Sequence, residues 1–504
     1  MLAKVTSGAV VGMECVPVEV EVDVSSRSLP SFQVVGLGDK AVDESRERVR
    51  SAIKNSGLDF PKHKITVNLA PADLPKEGAV YDLPIALGLL LANESLKFDT
   101  SNSLFLGELS LDGSLRSTPG VLPLAIMAKE LGFTKIYLPN LNSSEAAVVS
   151  GIEVYGAQNL RELVDHFLGI TPIIPALPTE ITIADESFEF DFSDIKGQEL
   201  AKRAMEIAAA GGHNILLRGA PGSGKTLLAR TFPSILPKLT EDEAVEVSRI
   251  YSITSQLPQG KSLISNRPFR SPHHTTSYVG LIGGGTHPRP GEISLAHCGT
   301  LFLDELPEFR RDVLEALRQP LEDGFVTVSR AMGTCQFPAS FILVAACNPC
   351  PCGYFGDPKG KCVCTFTQVR AYEKKLSGPL LDRIDLHIHC PSIPADKLTS
   401  METGEHSKDI RERTQKARDR QISRYHGHNI SSNGQLTAKN IKQFCHLDEE
   451  TIAMLRKAAI NLSISGRGFS RILKVARTIA DLDNKEEIAL EHVMEALQYR
   501  FKET

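Results

Sequence analysis

The 504-residue chain carries 56 Lys and Arg against 61 Asp and Glu, a net charge of −5, with 42% hydrophobic and 23% charged residues. That balance belongs to a folded globular protein and excludes a disordered, collagenous or wholly basic nucleic-acid-binding chain. The longest apolar stretch, Leu83 to Ala92, is short of the ~20 residues that cross a bilayer, and Glu14 and Glu19 interrupt the N-terminal segment before it could form a signal peptide; no membrane partner and a cytoplasmic location are expected.

At roughly 150 residues per domain, two or three domains are expected. Val16, Val18, Val20, Val22 and Val24 alternate with polar residues and predict a strand. A helix ending at Gly57, a strand over KITVNLAP and a helix over YDLPIALGLLLANE follow. Next come a hairpin turning at Asp112-Gly113, a helix through Met127 and a strand at KIYLP. This α/β domain is placed at 1–170 and a Pro-rich, acidic linker at 171–191. Alternating strands and helices over 192–392 predict a parallel sheet flanked by helices, and charged amphipathic helices over 393–504 predict a helical C-terminal domain.

Gly219, Ala220, Pro221, Gly222, Ser223, Gly224, Lys225 and Thr226 read GAPGSGKT, between the apolar strand NILLR and the helix LLARTF. This is the phosphate-binding loop of a nucleotide-binding strand-loop-helix unit. Glycines let backbone N–H groups approach phosphate oxygens, and the helix N-terminus favours anions. Lys225 would meet the β- and γ-phosphates of ATP, and Thr226 would bind Mg²⁺.

A second apolar strand, TLFLDE, ends in Asp304 and Glu305. Asp304 would hold Mg²⁺ and Glu305 would orient or deprotonate the attacking water. A third, FILVAACN, ends in Asn348, whose amide can bond both the water and the γ-phosphate. Cys350, Cys352, Cys362 and Cys364 form two C-x-C pairs in a Gly/Pro-rich loop. Four thiolates suit tetrahedral zinc, although the spacing is tighter than the usual C-x₂₋₄-C. Cys347 with Cys350 offers another C-x-x-C pair, and reduced thiols without metal are the plain alternative. Cys15, Cys298, Cys335, Cys390 and Cys445 read as ordinary buried residues.

The order P-loop, LFLDE, CNP, SGPLLDRIDLHI and SGRGFSRILKVARTIADL, with FRSPHHTTSYVGLIGGGTHPRPGEISLAHCGT before LFLDE, resembles the AAA+ ATPases related to the magnesium-chelatase ATPase subunit, and among them the competence-associated branch. The resemblance spans almost the whole chain. It implies that Asn348 is sensor 1, that Arg383 in LLDR is an arginine finger acting on a neighbouring subunit's nucleotide, and that Arg467 is sensor 2, with Arg471 as its rival. A planar, permanently charged guanidinium suits that task. A finger acting in trans implies a ring, and the resemblance implies that the ring is a homo-hexamer.

PKEGAVYDLPIAL and GELSLDGSLRSTPGVLPLA resemble landmarks of the Lon-protease fold. The positions of the protease's serine and lysine carry Val80 and Leu122, which cannot attack a carbonyl or carry a proton. The expected fold class is thus α/β: a P-loop AAA+ core, an N-terminal Lon-protease-like domain without its catalytic pair, and a C-terminal helical lid.

The resemblance further implies an ATP-driven translocase and helicase that works on single-stranded and branched DNA. It would promote branch migration when incoming DNA recombines during natural transformation, alongside recombination proteins. Arg267, Arg270 and Arg289 lie in a basic Gly/Pro-rich segment just before LFLDE, where related ATPases place pore elements, and would meet backbone phosphates. An ordered loop between subunits is the alternative for that segment. A charged helix over 411–428 reads as a solvated face. The rival function is a chelatase-like remodelling ATPase acting on a protein partner.

Overall fold

The structure is a computed structural model, and it describes residues 1–25, 29–36, 38–74, 76–179, 188–258, 260–285, 288–330, 333–356, 362–392, 404–428, 430–461 and 464–500. The chain divides into two compact units, Met1–Thr182 with Glu241–Ile264, and Ile183–Thr240 with Ser265–Thr504.

In the first unit the valine alternation does what its period dictates. Strand Glu14–Ser25 turns Val18, Val20, Val22 and Val24 into the core. It pairs antiparallel with Leu2–Val11 and with Lys64–Ala70, and Ser31–Val35 runs parallel to the latter. Helix Lys40–Asn55 starts where Asp39 accepts from the Val42 N–H at 2.9 Å and ends before Gly57, whose φ is +70°. Helix Asp82–Ala92 is apolar all round and buried, as expected of a helix inside a core. A Cβ on its Gly88 would come within 2.6 Å of Val22, so the missing side chain lets the helix lie against the sheet. Strands Ser103–Phe105, Lys135–Pro139 and Glu153–Ala157 form a second, parallel sheet. The expected hairpin pairs Glu108–Leu109 with Leu115–Arg116.

Two boundaries differ from the sequence reading. Part of the expected linker at 171–191 is tied down, because Ala176 donates to the Val154 carbonyl at 2.8 Å and Thr179 to that of Ala147 at 2.9 Å. Residues 241–264, expected inside the 192–392 core, belong to the first unit. Val245 and Leu263 pack there against the cluster around Val121, Leu122 and Leu124, and Ser252 donates to the buried Glu145.

The second unit is built on a five-stranded, wholly parallel sheet in the order Phe269–Arg270, Thr300–Leu303, Ile342–Cys347, Ile215–Gly219, Leu386–Cys390. Ile215, Leu217, Leu301, Leu303, Leu343 and Val344 are fully buried, which explains why these strands read as continuous apolar runs. An antiparallel hairpin, Phe325–Arg330 with Gly333–Pro338, interrupts the alternation. The C-terminal helices Ser407–Arg424, Ala438–Phe444, Glu449–Asn461, Gly466–Leu482 and Leu490–Gln498 share one hydrophobic cluster with the sheet and with helix Glu199–Gly211, through Ile410, Tyr425, Leu455, Ile472, Val475 and Tyr499. Among the described residues, no helix is long and apolar enough to cross a membrane.

Candidate nucleotide site

Three central strands of this sheet end side by side, one running into the P-loop and the others followed directly by Asp304 and Asn348. Strand Ile215–Gly219 runs into the P-loop, whose Gly222 and Gly224 adopt φ of +75° and +88°. A Cβ at either would meet nothing within 4 Å, so it is the backbone conformation that requires glycine there, and the loop remains an open cradle. Gly219 is required for the opposite reason, since its Cβ would lie 2.2 Å from the Cys390 carbonyl. Lys225 begins helix Lys225–Thr231 and folds its ammonium back onto the loop, donating to the carbonyls of Gly219 at 2.8 Å and Ala220 at 3.0 Å. Burial holds its pKa below the ordinary lysine value, and an arriving polyphosphate would favour the charged form.

The Thr226 hydroxyl donates to Asp304 Oδ2 at 3.0 Å. Hydroxyl and carboxylate are the oxygen donors that Mg²⁺ takes in P-loop ATPases, and here they already share one place. Lys225 Nζ also reaches Asn348 Oδ1 at 3.3 Å, so the end of the third strand joins the same cluster. These residues therefore fit a Mg²⁺–nucleotide.

Glu305 takes a left-handed backbone, φ +50°, a conformation that costs a non-glycine residue about 1–3 kcal/mol. The turn leaves its carboxylate half exposed and 3.5 Å from His274 Nδ1. His274, from the SPHH segment, is a site residue that sequence reasoning missed. Its signal was a histidine pair a few residues past the edge strand Phe269–Arg270.

The arginines separate cleanly. Arg471 has 17% of its side chain exposed and donates to Asp385 Oδ1 at 2.7 Å. Burial alone would raise the Asp385 pKa, but Arg471 and His213 together hold it well below the carboxylate range. Arg467, one turn earlier, is 59% exposed and 3.7 Å from Glu322. Arg383 is only 7% exposed. Its guanidinium donates to the carbonyls of Arg318 at 3.2 Å and Pro379 at 2.7 Å and to the Glu322 carboxylate. Arg383 and Arg467 thus meet at one carboxylate, which sequence order did not foretell.

Profiles described as magnesium chelatase subunit ChlI match residues 191–398, its N-terminal counterpart, described as subunit ChlI of Mg-chelatase, matches 20–142, and the ChlI C-terminal profile matches 404–500. The chain is 45% identical over 510 residues to competence protein ComM of Haemophilus influenzae, covering 99% of this chain and 97% of that protein. The chain belongs to the ComM-like branch of the magnesium-chelatase family. It is also 44% identical to Escherichia coli YifB over 504 residues, with 99% of this chain and 97% of that protein covered. Lon protease 2 of Bacillus subtilis is 27% identical over 144 residues, 28% of this chain and 26% of that protein.

Val80 and Leu122, expected from the Lon resemblance to stand at the protease's serine and lysine positions, are packing residues here. Leu122 is fully buried and Val80 packs partly buried between two hydrophobic clusters.

The expectation that the basic segment offers its arginines to phosphate is corrected in part. Arg267 donates to the carbonyls of Pro237 at 2.6 Å, Cys298 at 2.7 Å and Lys238 at 2.9 Å, while Arg270 grips Glu292 with two bonds of 2.7 Å. Arg289 is exposed, on a short ribbon pairing Gly283–Gly284 with Arg289–Pro290. The helix over 411–428 is likewise no simple solvated face. Arg418 is buried against the carbonyls of Ala209 and Ala210, Arg413 bridges Glu206 and Glu405, and Arg424 pairs with the buried Asp481.

Cys350, Cys352, Cys362 and Cys364 come together with their sulfurs all within 4.8 Å of one another. Cys347 lies inside the sheet, outside that group, and burial pushes its thiol up to about 11; burial likewise raises Cys390 to about 12.

Proposed function

We propose that this protein is a Mg²⁺-dependent ATPase that assembles as a homo-hexameric ring and drives DNA translocation and branch migration during homologous recombination of incoming DNA. Lys225 binds the phosphates, Thr226 and Asp304 hold Mg²⁺, and Asn348 orients the attacking water. Glu305 accepts a proton from that water as its oxygen bonds to the γ-phosphorus, and the bond to the bridging oxygen breaks to leave ADP and phosphate. Mg²⁺, when bound, supplies positive charge against the phosphate oxygens. Arg383 leaves Glu322 and the Arg318 and Pro379 carbonyls to reach the nucleotide of the adjoining protomer as its arginine finger, and Arg467 leaves Glu322 to meet phosphate as sensor 2. The cofactors of this reading are ATP and Mg²⁺, with zinc as a structural ion in the cysteine loop; the partners are single-stranded and branched DNA and recombination proteins, in the cytoplasm.

The observation that carries the reading is the meeting of Lys225, Thr226, Asp304 and Asn348 at the C-terminal ends of three central strands, in a chain alike from end to end to a competence protein. The test is a three-strand branch-migration assay with ATP. Wild type should exchange strands and Lys225→Ala should not, and single-stranded DNA should raise ATP turnover.

A chelatase-like remodelling ATPase acting on a protein partner is the second reading. It is favoured by one observation: Arg267 and Arg270, two of the three arginines assigned to DNA phosphates, bond within their own chain. ATP turnover that ignores DNA and rises only with a protein would establish it.

A further inference from the structure

The cysteine loop has geometry of its own. Cys350 Sγ lies 3.4 Å from Cys352 Sγ and 3.8 Å from Cys362 Sγ, and Cys352 Sγ lies 3.6 Å from Cys362 Sγ. A tetrahedral ion with bonds of about 2.3 Å sets its sulfurs about 3.8 Å apart. A disulfide would bring one pair to about 2 Å, and all four cysteines are free. The Phe355 N–H donates to Cys350 Sγ at 3.3 Å, a contact suited to a metal-bound thiolate carrying negative charge.

The same loop touches the nucleotide site. Gly353, at φ +86°, sits so close to the P-loop that a Cβ there would come within 2.6 Å of Pro221 Cδ, and it would lie 3.9 Å from Asn348 Cγ. Gly353 donates to the Cys350 carbonyl at 2.9 Å, which closes the turn around the first two cysteines. Arg218, on the P-loop strand, donates to the Pro349 carbonyl at 3.2 Å. On the other side, Thr365 directly follows Cys364 and caps helix Phe366–Glu373. The loop is therefore anchored at the sensor strand, at the P-loop and at a helix start.

We propose that Cys350, Cys352, Cys362 and Cys364 bind one Zn²⁺, and that this ion fixes Gly353 against Pro221 and so sets the position of the P-loop and of Asn348. Binding replaces four thiol protons, which pass to solvent, with one divalent ion. Zinc plays no part in the hydrolysis itself. Loss of the ion frees the Cys350–Phe355 turn and with it one wall of the phosphate cradle. The coupling to nucleotide rests on the ATP-site reading above, whereas the metal content does not.

The experiment measures zinc per chain by elemental analysis in full-length protein purified with reductant and without added metal, and then the affinity for a fluorescent ATP analogue. Wild type should carry about one zinc per chain, Cys347→Ala should keep it, and Cys362→Ser/Cys364→Ser should lose it. Removing the ion should weaken nucleotide binding at least about tenfold, as expected when a cradle wall shifts. Should the double variant not fold, stripping wild type with a chelator and restoring zinc reads the same change. Wild type free of zinc, or a Cys347→Ala variant as depleted as the double variant, overturns the site. Full zinc with nucleotide affinity indifferent to its removal overturns the brace. A zinc-loaded wild type that binds no ATP analogue overturns the ATP-site reading, and the brace with it, while the metal site stands.

Discussion

Arg471 donates to the buried carboxylate of Asp385 across 2.7 Å. The pair closes a network in which Asp385 also accepts from the Asn214 N–H at 3.2 Å and lies 3.5 Å from His213. An arginine so engaged is held within its own chain, whereas Arg467 is 59% exposed, as the phosphate-contacting role proposed for it requires. Removing one partner of a buried ion pair leaves a charge uncompensated, so Arg471→Ala should destabilise the protein by about 3–5 kcal/mol. Arg467→Ala should change stability by less than about 0.5 kcal/mol and still abolish most ATP turnover. Urea unfolding and steady-state ATPase assays on the two variants check this.

Glu305→Gln removes the proton acceptor but keeps the shape, and should lower turnover by at least about 100-fold while ATP still binds. His274 lies 3.5 Å from Glu305, and the role proposed for it is to position that carboxylate. His274→Ala should cost about tenfold in kcat with KM nearly unchanged. Measuring kcat and KM separately distinguishes it from a phosphate-binding residue, whose loss would raise KM.

The second unit should lose stability in mild acid. Burial, with Arg500 opposing the charge, pushes His387 down to about 4 from its ordinary 6.5. Between those values the unfolded chain binds a proton that the folded chain refuses. Stability is therefore complete above pH 6.5 and falls as pH drops through 4, by on the order of 3 kcal/mol. Urea midpoints across that range should slope accordingly, and His387→Gln, which cannot titrate, should flatten the slope.

Much of the nucleotide site was legible in the sequence because its parts are local. The apolar runs before GAPGSGKT and before Asp304-Glu305 fold as buried parallel strands on either side of Ile342–Cys347. The chain's return to the first unit over Glu241–Ile264 was not legible, since an amphipathic helix declares that it buries a face but not against what. Composition failed at Arg267 for a related reason: a guanidinium donating to three carbonyls and one awaiting a phosphate have the same letter. The hairpin Phe325–Arg330 with Gly333–Pro338 did carry a signal, the alternation FVTVS. His274 carried almost none, because its partner lies thirty-one residues away in sequence.

In the proposed ring each nucleotide is held by one protomer and completed by Arg383 of the next. Mixing inactive Lys225→Ala with inactive Arg383→Ala tests it most directly, because some interfaces in the mixed assembly join an intact phosphate loop to an intact arginine. ATPase activity should appear only on mixing and approach about a quarter of wild type at equal amounts, from random assembly in a ring of identical interfaces. Full turnover by Arg383→Ala alone, or no recovery in mixtures shown to co-assemble, would contradict it.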